Sequence, residues 1–206
     1  YGTPLVAKGH VWQHARQGEE EVVWCMDLAT GKVKWSQRYR TPFKMGGGAD
    51  RHGKGPKSCP VYADGRVFAM SITGTLSAWD AETGKALWKS SIGKRYKVPH
   101  PYWGSSTSPI VDGNRVIAHF GNDDTGVLAA HDVKTGKVVW TQGKDGTCYS
   151  SPLLSSSPTF SIPLFTNSID LFCYRRRRSG PMDIWWLQKE ATKIGTGGLL
   201  ELPGRS

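Results

Sequence analysis

The triplet Asn122-Asp123-Asp124 offers oxygen donors on three consecutive side chains, the donor type that a hard cation such as Ca²⁺ prefers. The same residues suit a polar turn between two strands, matching Gly18-Glu19-Glu20 earlier in the chain, and the turn is the reading that the residue types favour. His10 and His14 would share one face of a strand yet stand far apart along it, which is poor geometry for a common metal ion. Cys25, Cys59, Cys148 and Cys173 show no C-x-x-C spacing, so they indicate neither a zinc site nor a disulfide framework. The other chemistry-bearing residues fall in three irregular stretches, 36–59, 89–108 and 141–151. The first holds Gly46-Gly47-Gly48, Arg51, His52, Lys54 and Lys57, and the second holds Arg95, His100, Tyr102 and Trp103. Loops on a rigid scaffold are favoured places for binding residues. Arg51, His52, Lys57, Arg95, His100, Tyr102 and Trp103 are therefore the candidate binding residues.

What would hold such loops is a repeat. Residues 27–35 read DLATGKVKW, residues 80–88 DAETGKALW and residues 132–140 DVKTGKVVW, with Asp27, Asp80 and Asp132 spaced 53 and 52 residues apart. The Asp side chain can bond the backbone two residues on, and the Gly can take a positive φ, so each copy predicts a short antiparallel hairpin whose returning strand carries the Trp. Upstream, Thr3-Pro4, Cys59-Pro60, Ser108-Pro109 and Ser151-Pro152 each open a short apolar run, a Gly-containing turn following the first three. Proline at a strand start loses no ladder bond. Each unit is then four short strands, with the third over Thr75–Asp80 and Gly126–Asp132, and no sustained helical period appears in residues 1–154. The prediction is an all-β repeat whose units have the size of propeller blades.

The repeat resembles the pyrroloquinoline-quinone-type (quinoprotein-like) β-propellers, including the propeller of outer-membrane assembly. Their tryptophan docking motif, Ala-x-Asp-x-x-Thr-Gly-x-x-x-Trp, is matched by Ala78, Asp80, Thr83, Gly84 and Trp88, and by Ala130, Asp132, Thr135, Gly136 and Trp140. The first copy has Cys25 for the Ala and keeps Asp27, Thr30, Gly31 and Trp35. The resemblance implies that each Trp docks on the neighbouring blade's Gly, and that about three blades belong to a larger ring. It also implies a periplasmic or extracytoplasmic location and one of two functions. The first is a protein-interaction scaffold, its partners being other proteins or the missing blades. The alternative is part of a quinone-dependent alcohol or sugar dehydrogenase that holds pyrroloquinoline quinone and Ca²⁺. Those dehydrogenases commonly carry adjacent cysteines over the quinone, and this sequence has no Cys-Cys pair. The residues by themselves support no cofactor, so the scaffold is the leading expectation.

Lysine and arginine exceed the acids by ten, but the lysines are mostly scattered at turns, Lys32, Lys85 and Lys137 among them in the repeat, and the one Arg run lies after the repeat, so no nucleic-acid partner is expected. No run of about 18 apolar residues exists to span a membrane. After Leu154 the pattern stops. Residues 155–206 carry Arg175-Arg176-Arg177-Arg178 and Trp185-Trp186 without a Thr-Gly-Lys hairpin, so an irregular tail is expected beyond the blades of residues 1–154. It is a genuine extension, a different small segment, or a shifted reading frame; the Arg run and the Ser/Pro/Trp mixture favour the last. A shifted frame predicts Asp-x-x-Thr-Gly-x-x-x-Trp in another frame of the gene opposite residues ~175–195, by the repeat period. Sequencing the gene checks this. Neither frame carrying the motif would make the tail genuine and its Arg run a candidate binding segment.

Overall fold

Asp27 folds the first turn around itself: its Oδ1 accepts the Thr30 N–H at 2.8 Å and the Thr30 hydroxyl at 2.7 Å. Asp80 and Asp132 accept from Thr83 and Thr135 in the same way, every distance 2.8 Å. These threonine bonds hold the three exposed carboxyls below their ordinary range. Gly31, Gly84 and Gly136 close the turns at φ of +69°, +72° and +68°, which glycine adopts without strain. In this computed structural model the described residues are 2–47, 53–90, 92–147, 149, 151–156, 161–166, 171–175 and 183–187.

Each turn joins the last two strands of a four-stranded antiparallel sheet. The first sheet is β1 (Leu5–Ala7), β2 (His10–Gln17), β3 (Glu20–Asp27) and β4 (Val33–Arg40). The second is β5 (Val61–Ala63), β6 (Arg66–Met70), β7 (Leu76–Asp80) and β8 (Ala86–Lys89). The third is β9 (Ile110–Asp112), β10 (Arg115–Gly121), β11 (Gly126–Asp132) and β12 (Val138–Gln142). In all three a small residue stands opposite the Trp: Cys25 faces Trp35, Ala78 faces Trp88 and Ala130 faces Trp140. β4 continues to Arg40, so the first connecting loop starts later than the expected residue 36.

The stretch after Leu154 carries strands as well. β13 (Leu153–Ser156), β14 (Ser161–Thr166), β15 (Leu171–Arg175) and β16 (Asp183–Leu187) form a fourth antiparallel sheet in sequential order. Runs such as Ser-Ile-Pro-Leu-Phe-Thr and Asp-Ile-Trp-Trp-Leu are rich in the β-branched and aromatic residues that fit a pleated sheet, without any need for the turn motif. Arg176–Arg178 and residues 188–206 lie outside the described residues.

The sheets are the blades of a partial β-propeller, with first strands β1, β5, β9 and β13 side by side. At their entry a relay runs from blade to blade. The Thr3 N–H donates to Cys59 Sγ (3.2 Å), the Cys59 N–H to Ser108 Oγ (2.8 Å), and the Ser108 N–H to Ser151 Oγ (3.0 Å). The apolar core lies between blades. Trp12, Val23, Cys25 and Trp35 of the first pack on Val67, Ala69, Trp79 and Ala81 of the second. Phe68, Met70, Leu76 and Ala78 turn the other way, onto Val116, Ala118, Phe120, Val127 and Ala129 of the third.

Across each of the first two interfaces an indole lies on a glycine. A Cβ on Gly84 would stand 2.6 Å from Trp35 Cδ2, and one on Gly136 would stand 2.5 Å from Trp88 Cδ2. Trp35 Nε1 donates to the Ala81 carbonyl at 3.0 Å, and Trp88 Nε1 to that of Val133 at 3.2 Å. Gly31 has the same φ with nothing within 4 Å of its Cβ position, so it serves as an internal control. Gly31→Ala should cost about 1–2 kcal/mol in denaturant unfolding, the price of a left-handed alanine. Gly136→Ala should cost roughly 1–3 kcal/mol more, through overpacking against the indole. Equal losses at the two positions would mean that the indole contact carries no weight. Trp88→Ala, with Trp88 half-buried, should cost about 3 kcal/mol.

Candidate functional site

The docking turns occupy one end of the blades, where the Leu28, Ala81 and Val133 N–H groups donate to the Gly9, Gly65 and Asn114 carbonyls of the neighbouring turns. The connecting loops occupy the other end, each tied to the middle hairpin of a blade. Thr41 N–H donates to the Glu19 carbonyl, Ser105 N–H to that of Ile72, and Thr147 N–H to that of Asn122, at 3.0, 2.8 and 2.8 Å. The tryptophan docking turns and the connecting loops are therefore at opposite ends.

Three connecting loops converge there. The Tyr102 ring lies against Gly46, where a Cβ would meet it at 2.2 Å, and its hydroxyl accepts the Gly47 N–H at 2.7 Å. Lys57 Nζ, its pKa lowered by burial, donates to the Trp103 carbonyl at 2.7 Å. Trp103 sits 6.1 Å from the Tyr102 ring and 5.5 Å from the Tyr149 ring. His100 packs edge-on against Phe43 at 5.0 Å. Tyr102, Trp103 and Tyr149 are 56, 45 and 42 % exposed, which makes an aromatic patch open to solvent. Lys57, His100, Tyr102 and Trp103 thus come together. Arg95 is exposed on a 3₁₀ turn, Ile92–Arg95, beside Tyr96. Arg51 and His52 lie outside the described residues.

Asn122 and Asp123 serve the turn and this cluster. Asn122 Oδ1 accepts the Asp124 and Thr125 N–H groups at 3.0 and 2.9 Å. Asp123 accepts the Tyr102 N–H at 2.6 Å on Oδ2 and the Tyr149 hydroxyl at 3.1 Å on Oδ1. Their oxygens are engaged by protein donors, and no group of three metal-capable side chains assembles among the described residues. This donor set does not fit a calcium–quinone centre. His10 and His14 also go separate ways: His10 Nδ1 bonds the Lys8 carbonyl, whereas His14 enters the blade interface.

There His14, Glu21 and Tyr39 form a buried polar cluster that the residue types alone did not reveal. The Tyr39 hydroxyl donates to Glu21 Oε2 at 2.7 Å, His14 Nε2 lies 2.8 Å from the Tyr39 oxygen and 3.3 Å from Glu21, and Glu21 Oε1 accepts the Ile72 N–H of the second blade at 2.9 Å. Burial pushes the Glu21 carboxyl up, but His14, Ile72 and Tyr39 outweigh it and hold the pKa below the ordinary value. Burial and the neighbouring Glu21 carboxylate raise that of Tyr39. Beside this cluster, the end of β2 and residues 53–56 line an open cleft of about 490 Å³, with His14, Arg16 and Lys54 among its walls.

Residues 19–164 match a PQQ-repeat family whose model is described as outer membrane protein assembly factor BamB. The chain is 33% identical over 150 residues to the dehydrogenase subunit of the quinone alcohol dehydrogenase of Gluconacetobacter polyoxogenes, covering 68% of this chain and 19% of that protein. It is 27% identical over 121 residues to outer membrane protein assembly factor BamB of Burkholderia pseudomallei, covering 58% of this chain and 27% of that one. A europium-containing methanol dehydrogenase structure superposes with a TM-score of 0.51 at 26% identity, over 68% of this chain and 24% of that chain. The chain therefore spans about a fifth to a quarter of the length of these relatives.

The buried cluster sets an acid limit. A carboxyl with a depressed folded pKa stabilises the fold above its ordinary value of 4.5, and that stability is lost as the pH falls through the lower folded value. Tyr39→Phe removes one donor to Glu21, so it should cost about 1–3 kcal/mol at neutral pH and move acid unfolding to higher pH. Tryptophan fluorescence during acid titration checks this, and an unchanged acid midpoint would contradict it.

Proposed function

Since the chain belongs to the PQQ-repeat propeller family described as outer membrane protein assembly factor BamB, we propose that it contributes blades to a larger propeller acting as an extracytoplasmic protein-interaction scaffold. The observation that carries this reading is the convergence of three connecting loops into one exposed aromatic patch, remote from the docking turns. Tyr102, Trp103 and Tyr149 form the patch, with Lys57 bonded to the Trp103 carbonyl. Aromatic side chains combine large apolar area with little conformational freedom to lose, which is why they are enriched in protein interfaces. Asp123 accepts from the Tyr102 backbone N–H and the Tyr149 hydroxyl, so the patch is ordered before any partner arrives. No helix among the described residues is long and apolar enough to cross a membrane.

The similarity to quinone alcohol dehydrogenases supports a second reading, in which these blades are the non-catalytic part of such an enzyme. Titrating the full-length gene product with pyrroloquinoline quinone and Ca²⁺, followed by absorbance, separates the two. The scaffold reading expects no saturable quinone binding and no alcohol-dependent dye reduction. Saturable binding with dye reduction would replace it with the dehydrogenase.

A further inference from the structure

Each sheet carries a row of four residues that runs across its ladder and ends on a tryptophan. In the first sheet the row is Leu5, Trp12, Cys25 and Trp35. In the second and third it ends on Ala78 with Trp88 and on Ala130 with Trp140. The fourth sheet has no Thr-Gly-Lys turn, yet it carries the same row. Leu153 pairs with Leu164, Leu164 with Cys173, and Cys173 with Trp185. Trp185 therefore holds on β16 the register position that Trp35 and Trp88 hold on β4 and β8. Those two tryptophans each dock on the glycine of the following blade.

The first sheet shows the other half of that contact, with no indole on it. Its turn is built as the occupied ones are. The Leu28 N–H donates to the Gly9 carbonyl at 2.9 Å, as Ala81 does to Gly65 at 2.9 Å and Val133 to Asn114 at 3.0 Å. Gly31 shares the φ of Gly84 and Gly136, yet nothing stands within 4 Å of its Cβ position. Ala81 and Val133, whose carbonyls accept the docked indoles, are 2 and 1 % exposed, whereas Leu28 at the same position is 51 % exposed. Val6 holds the place of Tyr62 and Val111, which pack into the cores between blades, and is 56 % exposed. The chain therefore does not close on itself. Because it carries both halves of the contact, a second copy is complementary to it at both ends at once. We propose that two copies associate head to tail, Trp185 of each seated on Gly31 and Leu28 of the other, so that two sets of four blades close a ring of eight. Eight lies within the range of closed propellers, and a head-to-tail contact makes a ring where its rotation closes. The inference rests on the larger-propeller reading and names a second copy as the source of the missing blades.

Sedimentation equilibrium of the 206-residue chain over a concentration series tests this. The mass should rise from 22.7 kDa to twice that value and no further. Leu28→Glu, at a position exposed in the single chain, should leave the fold intact and weaken association at least about a hundredfold, because the contact would bury an unpaired carboxylate. Trp185→Ala should weaken it at least about thirtyfold, as loss of an interface anchor does. A mixture of the two variants keeps one intact contact per pair, so it should dimerise more tightly than either alone. If Trp185→Ala unfolds, Leu28→Glu decides. In the dissociated chain Gly31 stays bare, so Gly31→Ala keeps only its backbone cost there while weakening the dimer. A monomer at every concentration would overturn the proposal and leave the scaffold reading to the quinone titration. Masses that keep growing would overturn it too, since an open head-to-tail chain does not stop at two copies. So would a dimer that Leu28→Glu leaves unchanged.

Discussion

An indole lying flat on a residue with no Cβ governs how one sheet of this protein meets the next. Trp35 and Trp88 each reach across an interface to a glycine in a left-handed turn and donate to a carbonyl three residues before it. The contact is demanding because three local conditions must hold together. The Asp must hold its turn through the Thr, the Gly must stay bare, and a small residue must stand opposite the Trp so that the ring can lean outward. Cys25 and Ala78, both fully buried, supply that last condition in the two docked copies. Once an indole is seated, the facing sheets are brought to a fixed approach, and their alternating side chains interdigitate into the cores between blades.

Fixing the blades at one end leaves the other end free to vary. The turn motif is repeated almost unchanged at the docking end, whereas the connecting loops differ in length and residue type at the opposite end. The Gly46 backbone gives way to the Tyr102 ring, Lys57 braces Trp103, and Asp123 bonds both neighbouring loops. The relay through Thr3, Cys59, Ser108 and Ser151 aligns the first strands beneath them. A rigid base with variable loops is a physical arrangement suited to binding.

Much of this was legible in the sequence because the decisive interactions are local. The Asp-to-Thr bonds span three residues, and the third strand expected over Thr75–Asp80 is β7, Leu76–Asp80. What escaped was set by distant partners. Glu21, next to Glu19 and Glu20, looks like a solvated turn charge, yet it is buried against His14, Tyr39 and the second blade. A signal was present: counting back by twos from buried Cys25 through Val23 reaches Glu21, and forward from Trp12 reaches His14. The same alternation from Trp35 leads to Tyr39, which keeps β4 in the sheet up to Arg40. The fourth sheet was missed because its strands come without the turn motif used to find the other three.

The most direct measurement is a double-mutant cycle joining Trp88 and Gly136, read by denaturant unfolding. If the indole rests on the glycine, Gly136→Ala in a Trp88→Ala background should cost only the backbone strain of a left-handed alanine, about 1–2 kcal/mol. The two substitutions should then show a coupling of roughly 1–3 kcal/mol, as contacting residues do. Strictly additive losses would show that the two residues do not support each other, and that something other than the indole–glycine contact sets the angle between blades.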